Sequence, residues 1–242
     1  IGASVGSFRS TDRERLAHVY GAMGIEGFEA VNGPQEALNA LLIPLALADH
    51  PARRPWRIVD LGCGTGASSA TLLEHAPRGS ALIGYDLCKG LLARARERSW
   101  LDSAAAPIDV DFVCSPVDGP LRDAQSRLLE PASIDLVHAA GLVGHHFEVA
   151  SLRRLAAEVQ RILADDGIAV LDAGPKLRAR DVTRVMVESG FVPVGRHRLW
   201  PLAKRMALTF ERRRSSEPAG GRMALSCGSS SPRSSRRRRG HG

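Results

Sequence analysis

Three glycines at alternate positions, Gly62, Gly64 and Gly66, follow a short apolar run ending in Asp60-Leu61. An acid, Asp86, lies 20 residues beyond the last of them. This spacing suits a nucleoside ligand. Residues without a Cβ let backbone approach a ligand closely, and they tolerate positive φ. The N–H groups opening the next helix face an anionic group, and a carboxylate ending the following strand accepts both ribose hydroxyls. Two adjacent histidines, His145 and His146, come after a later apolar run, with Gly141 and Gly144 to shape the loop between. Histidine titrates near neutrality and can take a proton from an attacking hydroxyl. Adjacent side chains seldom point the same way, so one ring is expected to face substrate and the other to pack or meet solvent. Simpler readings stand beside these. A glycine triplet also makes a tight turn, Gly62, Gly64 and Ala67 fit the dinucleotide pattern G-x-G-x-x-A, and either histidine alone is equally well explained as a packing residue.

These residues need elements to position them. Thr11 and Asp12 offer caps for a helix from Arg13 to Tyr20, a glycine-rich stretch follows, and Pro34 opens a second helix toward Asp49 that Pro44 bends or ends. From Trp56 strands and helices alternate. Strands are expected at 57–61, 81–86, 110–114, 134–140 and 168–172, with helices at 67–75, 89–100, 151–164 and 181–189. Asp165-Asp166-Gly167 reads as a turn. Such alternation predicts an α/β fold, a parallel sheet covered on both faces. Phe191 to Leu199 and Met206 to Glu211 are separated by too few residues for a crossover helix, so they are expected to pair antiparallel. The chain divides into a helical cap, 1–55, a ligand-binding domain, 56–211, and a Ser/Arg/Gly-rich tail, 212–242, expected to be disordered.

Val59-Asp-Leu-Gly-Cys-Gly-Thr-Gly66 resembles motif I of the class I S-adenosylmethionine-dependent methyltransferases. The similarity continues through Ile83 to Leu87, Asp111 to Val113, Ser133 to Val137 and Leu155 to Asp172, and spans about 56–211. The resemblance implies a Rossmann-like, doubly wound, seven-stranded sheet with an antiparallel strand at the end. It places S-adenosylmethionine at the carboxyl ends of strands one and two and the acceptor over strand four. It assigns Asp60 to the methionine end of the cofactor and Asp86 to the ribose. Gly62, Cys63, Gly64, Gly66, Leu87, Ser115 and Val117 are counted with the cofactor contacts. One position departs from the pattern. Where the family commonly has an acid for the adenine amino group this chain has Pro116, with Asp118 two residues on and the Val117 N–H within reach of the ring. The segment from Ala139 to Phe147 lacks the Asn/Asp-Pro-Pro-Tyr/Phe signature of nucleobase amino methylation, and no paired-Glu loop of the protein-arginine type is present. A small-molecule acceptor is therefore expected, served by His145 or His146; Tyr20 and Phe28 are expected to be core aromatics of the cap helices, the alternative being that they close over the cofactor, as caps do in small-molecule members of the family.

Composition bounds the alternatives. The formal charge of +7 misleads, because 212–242 hold nine Arg and one acid, leaving 24 basic and 25 acidic residues over 1–211. The body is nearly neutral and its partner is not expected to be nucleic acid. Arg236 to Arg239 leave open an RNA-directed enzyme or RNA-binding protein, although no aromatics interleave them for base stacking. A nicotinamide-dependent oxidoreductase is the other alternative, but no Tyr-x-x-x-Lys pair is present. Four cysteines without CxxC spacing argue against a zinc site or disulfide framework, so no metal and a cytoplasmic location are expected. No apolar run is long enough for a bilayer. Ile1 to Ser10 show no secretory pattern, the chain does not begin with Met, and its oligomeric state is left open.

Overall fold

The computed structural model describes residues 11–50, 54–101, 106–198 and 206–213. Its elements, in chain order, begin with α1 (Arg13–Leu47), β1 (Arg57–Leu61), α2 (Ala67–His75), β2 (Ala81–Asp86), α3 (Lys89–Arg96) and β3 (Val110–Cys114). There follow β4 (Ile134–Ala139), α4 (Val143–His146), α5 (Val149–Ile162), β5 (Leu163–Ala173), α6 (Ala179–Glu188), β6 (Phe191–His197) and β7 (Met206–Arg212).

The strands form one seven-stranded sheet in the order β3-β2-β1-β4-β5-β7-β6. The five strands β1 to β5 run parallel, while β7 is antiparallel to both β5 and β6. The last strand of the chain thus wedges between β5 and β6, leaving β6 on the edge. The order reverses beside β1, where the chain winds first toward β3 and then through β4, and ligand crevices of open α/β sheets form at such a switch.

Alternation along the strands sorts the side chains to two faces. Ile58 and Leu136 meet Leu42 and Ile43 of α1 and Leu72 and Leu73 of α2. Val59, Leu61, Val137 and Ala139 point the other way, into the core formed with α5 and α6. Full burial of a leucine such as Leu72 or Leu155 is worth about 1.5–3 kcal/mol, so both layers contribute to stability. Asp60 and His138 lie on the α1–α2 face, which brings them together.

Several boundaries differ from the expectations, among them the end of α3, which stops at Arg96 and not Trp100. Residues 13–47 are two helices meeting at Gly24 (φ 69°, ψ 174°), within the expected glycine stretch, but the second begins directly after that glycine and not at Pro34. Asp12 caps the first, accepting the Arg15 N–H at 3.1 Å. Pro34 and Pro44 lie inside the second, so a glycine free to take positive φ makes the break and the prolines do not. Asp165 to Gly167 are part of β5, as an irregularity against β4 between Ile134 and Leu136. Finally, β7 continues through Arg212, and the Arg213 N–H bonds to Gly190 O at 2.8 Å, so the fold extends past the boundary expected at Glu211. The rest of the basic tail, 214–242, lies outside the described residues, as do the extreme N-terminus and most of the β6–β7 connection. Among the described residues no helix is long and apolar enough to cross a membrane.

Candidate active site

The glycine loop leaves β1 at the switch in strand order. Gly62, Gly64 and Gly66 all take positive φ (72°, 55° and 83°), which explains why each is glycine. A Cβ on Gly64 would come 2.7 Å from Phe28 Cζ, so the cap helix closes directly on the loop. Cys63 turns its sulfur toward Gly84 and Phe112 in the core, and burial, followed by the charges of Asp60 and Asp86, pushes its thiol well above the ordinary range.

Asp86 joins two turns. Its Oδ2 accepts the Gly64 N–H at 3.0 Å and its Oδ1 accepts the Cys88 N–H at 2.8 Å. Burial raises its pKa, against the pull of those N–H groups. A carboxylate oxygen has room for more than one donor, and Asp86 lines a cleft of about 680 Å³ together with Gly62, Leu87, Val117, Leu142 and His146. Ser115 stands back from this cleft and donates its N–H to Asp86 O at 3.1 Å. Asp118 does line it, but is held by the guanidiniums of Arg13 and Arg154. Burial favours its neutral form, and the two arginines outweigh that and keep its pKa low.

Asp60 has partners the sequence analysis missed. Its Oδ2 accepts the hydroxyls of Ser68 and Ser69 at 2.7 and 2.6 Å, and its Oδ1 lies 2.8 Å from His138 Nδ1. At 1% exposure it sits behind the loop, tying β1, α2 and β4 together, so its direct contacts are to the protein. Strand alternation could have paired it with position 138, but the two serines become neighbours only when α2 packs back on β1.

After β4 the chain turns at Gly141 and enters α4. Asp172, at the end of β5, accepts the N–H groups of Leu142, Val143 and Gly144 at 3.2, 2.8 and 3.1 Å. This buried clamp was also invisible in the sequence. Burial pushes the Asp172 carboxyl up to about 6, opposed by those three N–H groups and by His138. Gly144 is glycine for a different reason from a tight turn, since a Cβ there would lie 2.1 Å from Gly174 N. The two histidines diverge. His145 is buried, its Cδ2 close against Gly174. His146 lines the cleft, its Nε2 3.1 Å from Tyr20 Oη. Burial, then the Asp86 charge, raises the Tyr20 pKa, so Tyr20 stays a neutral hydroxyl.

A smaller hollow of about 270 Å³ lies between the glycine loop and α1, lined by Glu36, Gly62, Cys63, Thr65, Ser68 and Ala140 among others. Glu36 Oε1 and Thr65 Oγ1 are buried there with no hydrogen-bond partner among the described residues. Unsatisfied buried polar atoms are costly, and two facing one hollow fit a polar ligand group. The large cleft, the Asp86 carboxylate and this polar hollow therefore match a nucleoside carrying an amino-acid tail. Among the described residues no group of three His, Cys, Asp or Glu is placed to hold a metal ion.

Comparison with known proteins agrees with this geometry. Residues 58–167 match the family model described as "Methyltransferase domain". The chain is 54% identical over 54 residues to a trans-aconitate 2-methyltransferase of Acidovorax sp. (strain JS42), covering 22% of this chain and 20% of that enzyme. It is 28% identical over 160 residues to a malonyl-[acyl-carrier protein] O-methyltransferase of Geobacter sulfurreducens, covering 65% of this chain and 52% of that one. These alignments span about half the relatives' lengths or less. The fold is shared with an S-adenosylmethionine-dependent methyltransferase of Clostridium acetobutylicum ATCC 824 (TM-score 0.60, 10% identity, 83% of this chain and 98% of that one). The sheet order and the glycine loop are similar to those of S-adenosylmethionine-dependent methyltransferases, in keeping with the methyltransferase-domain match over 58–167.

Proposed function

We propose that this protein transfers a methyl group from S-adenosylmethionine to a small-molecule acceptor. The observation that carries the reading is the cradle at the switch point, where Asp86 links the Gly64 and Cys88 N–H groups and lines the large cleft. In this reading Asp86 takes the ribose hydroxyls, Leu87 and Val117 border the adenine, and the loop backbone from Gly62 to Gly66 carries the tail. Ser115 acts through its hold on the Asp86 strand end, and Asp60 through the loop. The bound cofactor supplies an activated methyl group, so the protein's work is alignment and exclusion of water. Phe28 and Tyr20 cover the site from α1. His146 faces the acceptor and accepts its proton, Tyr20 fixes the ring, and His145 anchors α4.

The acceptors named for the two relatives, trans-aconitate and a carrier-bound malonyl group, are small acids or acyl groups, which supports the small-molecule reading. The strand β7 between β5 and β6 favours a methyltransferase over a nicotinamide oxidoreductase. We place the enzyme in the cytoplasm, in keeping with free thiols at Cys63, Cys88 and Cys114. The cap at 1–55 serves the site, and the basic tail has no part in it. Calorimetry tests the reading. S-adenosylmethionine and its demethylated product should bind and NADH should not, and the reverse order would refute it.

A further inference from the structure

A third hollow, of about 370 Å³, lies between the second half of α1 and residues of β4, β5 and β7. Gln35, Asn39 and Ala140 border both it and the hollow beside the glycine loop, so the two adjoin. Much of its wall is apolar, with Leu42 and Ile43 from α1 and Val170 from β5. Gln35 and Asn39 break that pattern. They are one turn apart on the face of α1 that also buries Leu42, Ile43 and Ala46, and they are 7% and 6% exposed. Burying an amide in an apolar wall is costly unless it is hydrogen-bonded. Gln35 Nε2 donates to Asn39 Oδ1 at 2.8 Å, which satisfies the Asn39 oxygen. An asparagine side chain also carries two N–H donors, and among the described residues nothing accepts from the Asn39 NH2 group.

Charge limits what can take that donor. Among the described residues no lysine or arginine lines the hollow. Its ionisable groups are His138, bonded to Asp60, and Asp172, bonded to the N–H groups of α4. A carboxylate placed here would meet Asp172 with no counter-ion, and an unpaired buried charge is far costlier than a neutral polar group. A carbonyl, ether or hydroxyl oxygen takes the Asn39 donor without that penalty. We infer that this hollow selects the acceptor: Asn39, oriented by Gln35, donates to an oxygen of a neutral, largely apolar molecule, and a carboxylate of the same shape is rejected. The inference rests on the methyltransferase reading above and deepens it by naming the acceptor's chemical class. Gln35 and Asn39 determine specificity, and removal of the proton from the reacting hydroxyl stays with His146.

Two phenols of one shape test the charge. 4-Hydroxyacetophenone is neutral and ends in a carbonyl, and 4-hydroxybenzoate ends in a carboxylate. They are titrated near neutral pH into the full chain saturated with S-adenosylhomocysteine, and binding is followed by NMR. The neutral phenol should bind at least about tenfold tighter than the acid. Asn39→Leu should weaken the neutral phenol by roughly 2- to 10-fold, the loss of one neutral hydrogen bond. Met206 lines this hollow and neither of the other two. Met206→Trp should therefore fill the space and weaken the neutral phenol by more than about tenfold, while S-adenosylhomocysteine affinity stays within about twofold and so controls for folding. Equal or tighter binding of 4-hydroxybenzoate would overturn the inference. So would a neutral phenol that neither variant disturbs, or no binding of either phenol. In each of those cases S-adenosylhomocysteine still binds and the cofactor reading stands. A wild-type protein that does not bind S-adenosylhomocysteine would bring down the cofactor reading and this inference together.

Discussion

The segments after β1 and after β4 are built on one plan and serve opposite ends of the site. Each leaves a parallel strand, turns on a glycine, enters a helix, and is held through backbone N–H groups by a carboxylate from a neighbouring strand. After β1 that carboxylate is Asp86, which accepts the Gly64 N–H of that segment and the Cys88 N–H of its own strand end, and still lines the large cleft. After β4 it is Asp172, which accepts three and is buried. The first clamp is left with capacity for a ligand. The second is committed to three backbone N–H groups away from that cleft, and its segment presents a side chain, His146, in place of backbone. Residue type does not separate two aspartates with such different tasks, whereas which of them lines the large cleft does.

The comparison sharpens most on the acceptor side. If His146 is the base, His146→Ala should lower turnover by roughly 10²–10⁴, with cofactor affinity within about twofold because the Asp86 clamp is untouched. His145→Ala should instead lower the melting temperature. Equal loss of cofactor binding in His146→Ala would show that the two segments are not separable.

On the cofactor side the effect is smaller and falls on binding. Asp86→Ala should weaken S-adenosylmethionine by roughly 10- to 100-fold, from lost charge-assisted bonds worth ~1.5–3 kcal/mol each. Cofactor-saturated turnover should recover much of its value. An unchanged dissociation constant would assign the ribose to another group.

The smallest effect is a pH dependence at Asp172. Its folded pKa, about 6, is raised above the model-peptide value, so in the window between them the folded state binds the extra proton. Stability contributed by this group is therefore greatest below about pH 4, declines as pH rises through about 6, and is level above that. Asp172→Asn should remove that slope from urea midpoints measured between pH 4 and 7, while lowering their general level. Parallel wild-type and variant profiles would mean that the three N–H donors keep Asp172 ionised throughout.

The chain itself determined the alternating elements, the glycine loop, Asp86 and the antiparallel pairing of the last two strands. These rest on local rules: strand and helix periods, the positive φ that glycine permits, and a connection too short for a crossover helix. It also placed two histidines after β4 without saying which one turns to the cleft. Tertiary structure decided that, because Gly144 packs backbone to backbone on Gly174 and fixes how α4 sits. Packing likewise decided that Asp60 would hold Ser68, Ser69 and His138, that Asp172 would clamp α4, and that Glu36 of a distant helix would face Thr65 in one hollow. Each of those contacts joins residues far apart in the chain or on different elements. Their distances are set by how helices stack on a twisted sheet, and no spacing along the sequence encodes that stacking.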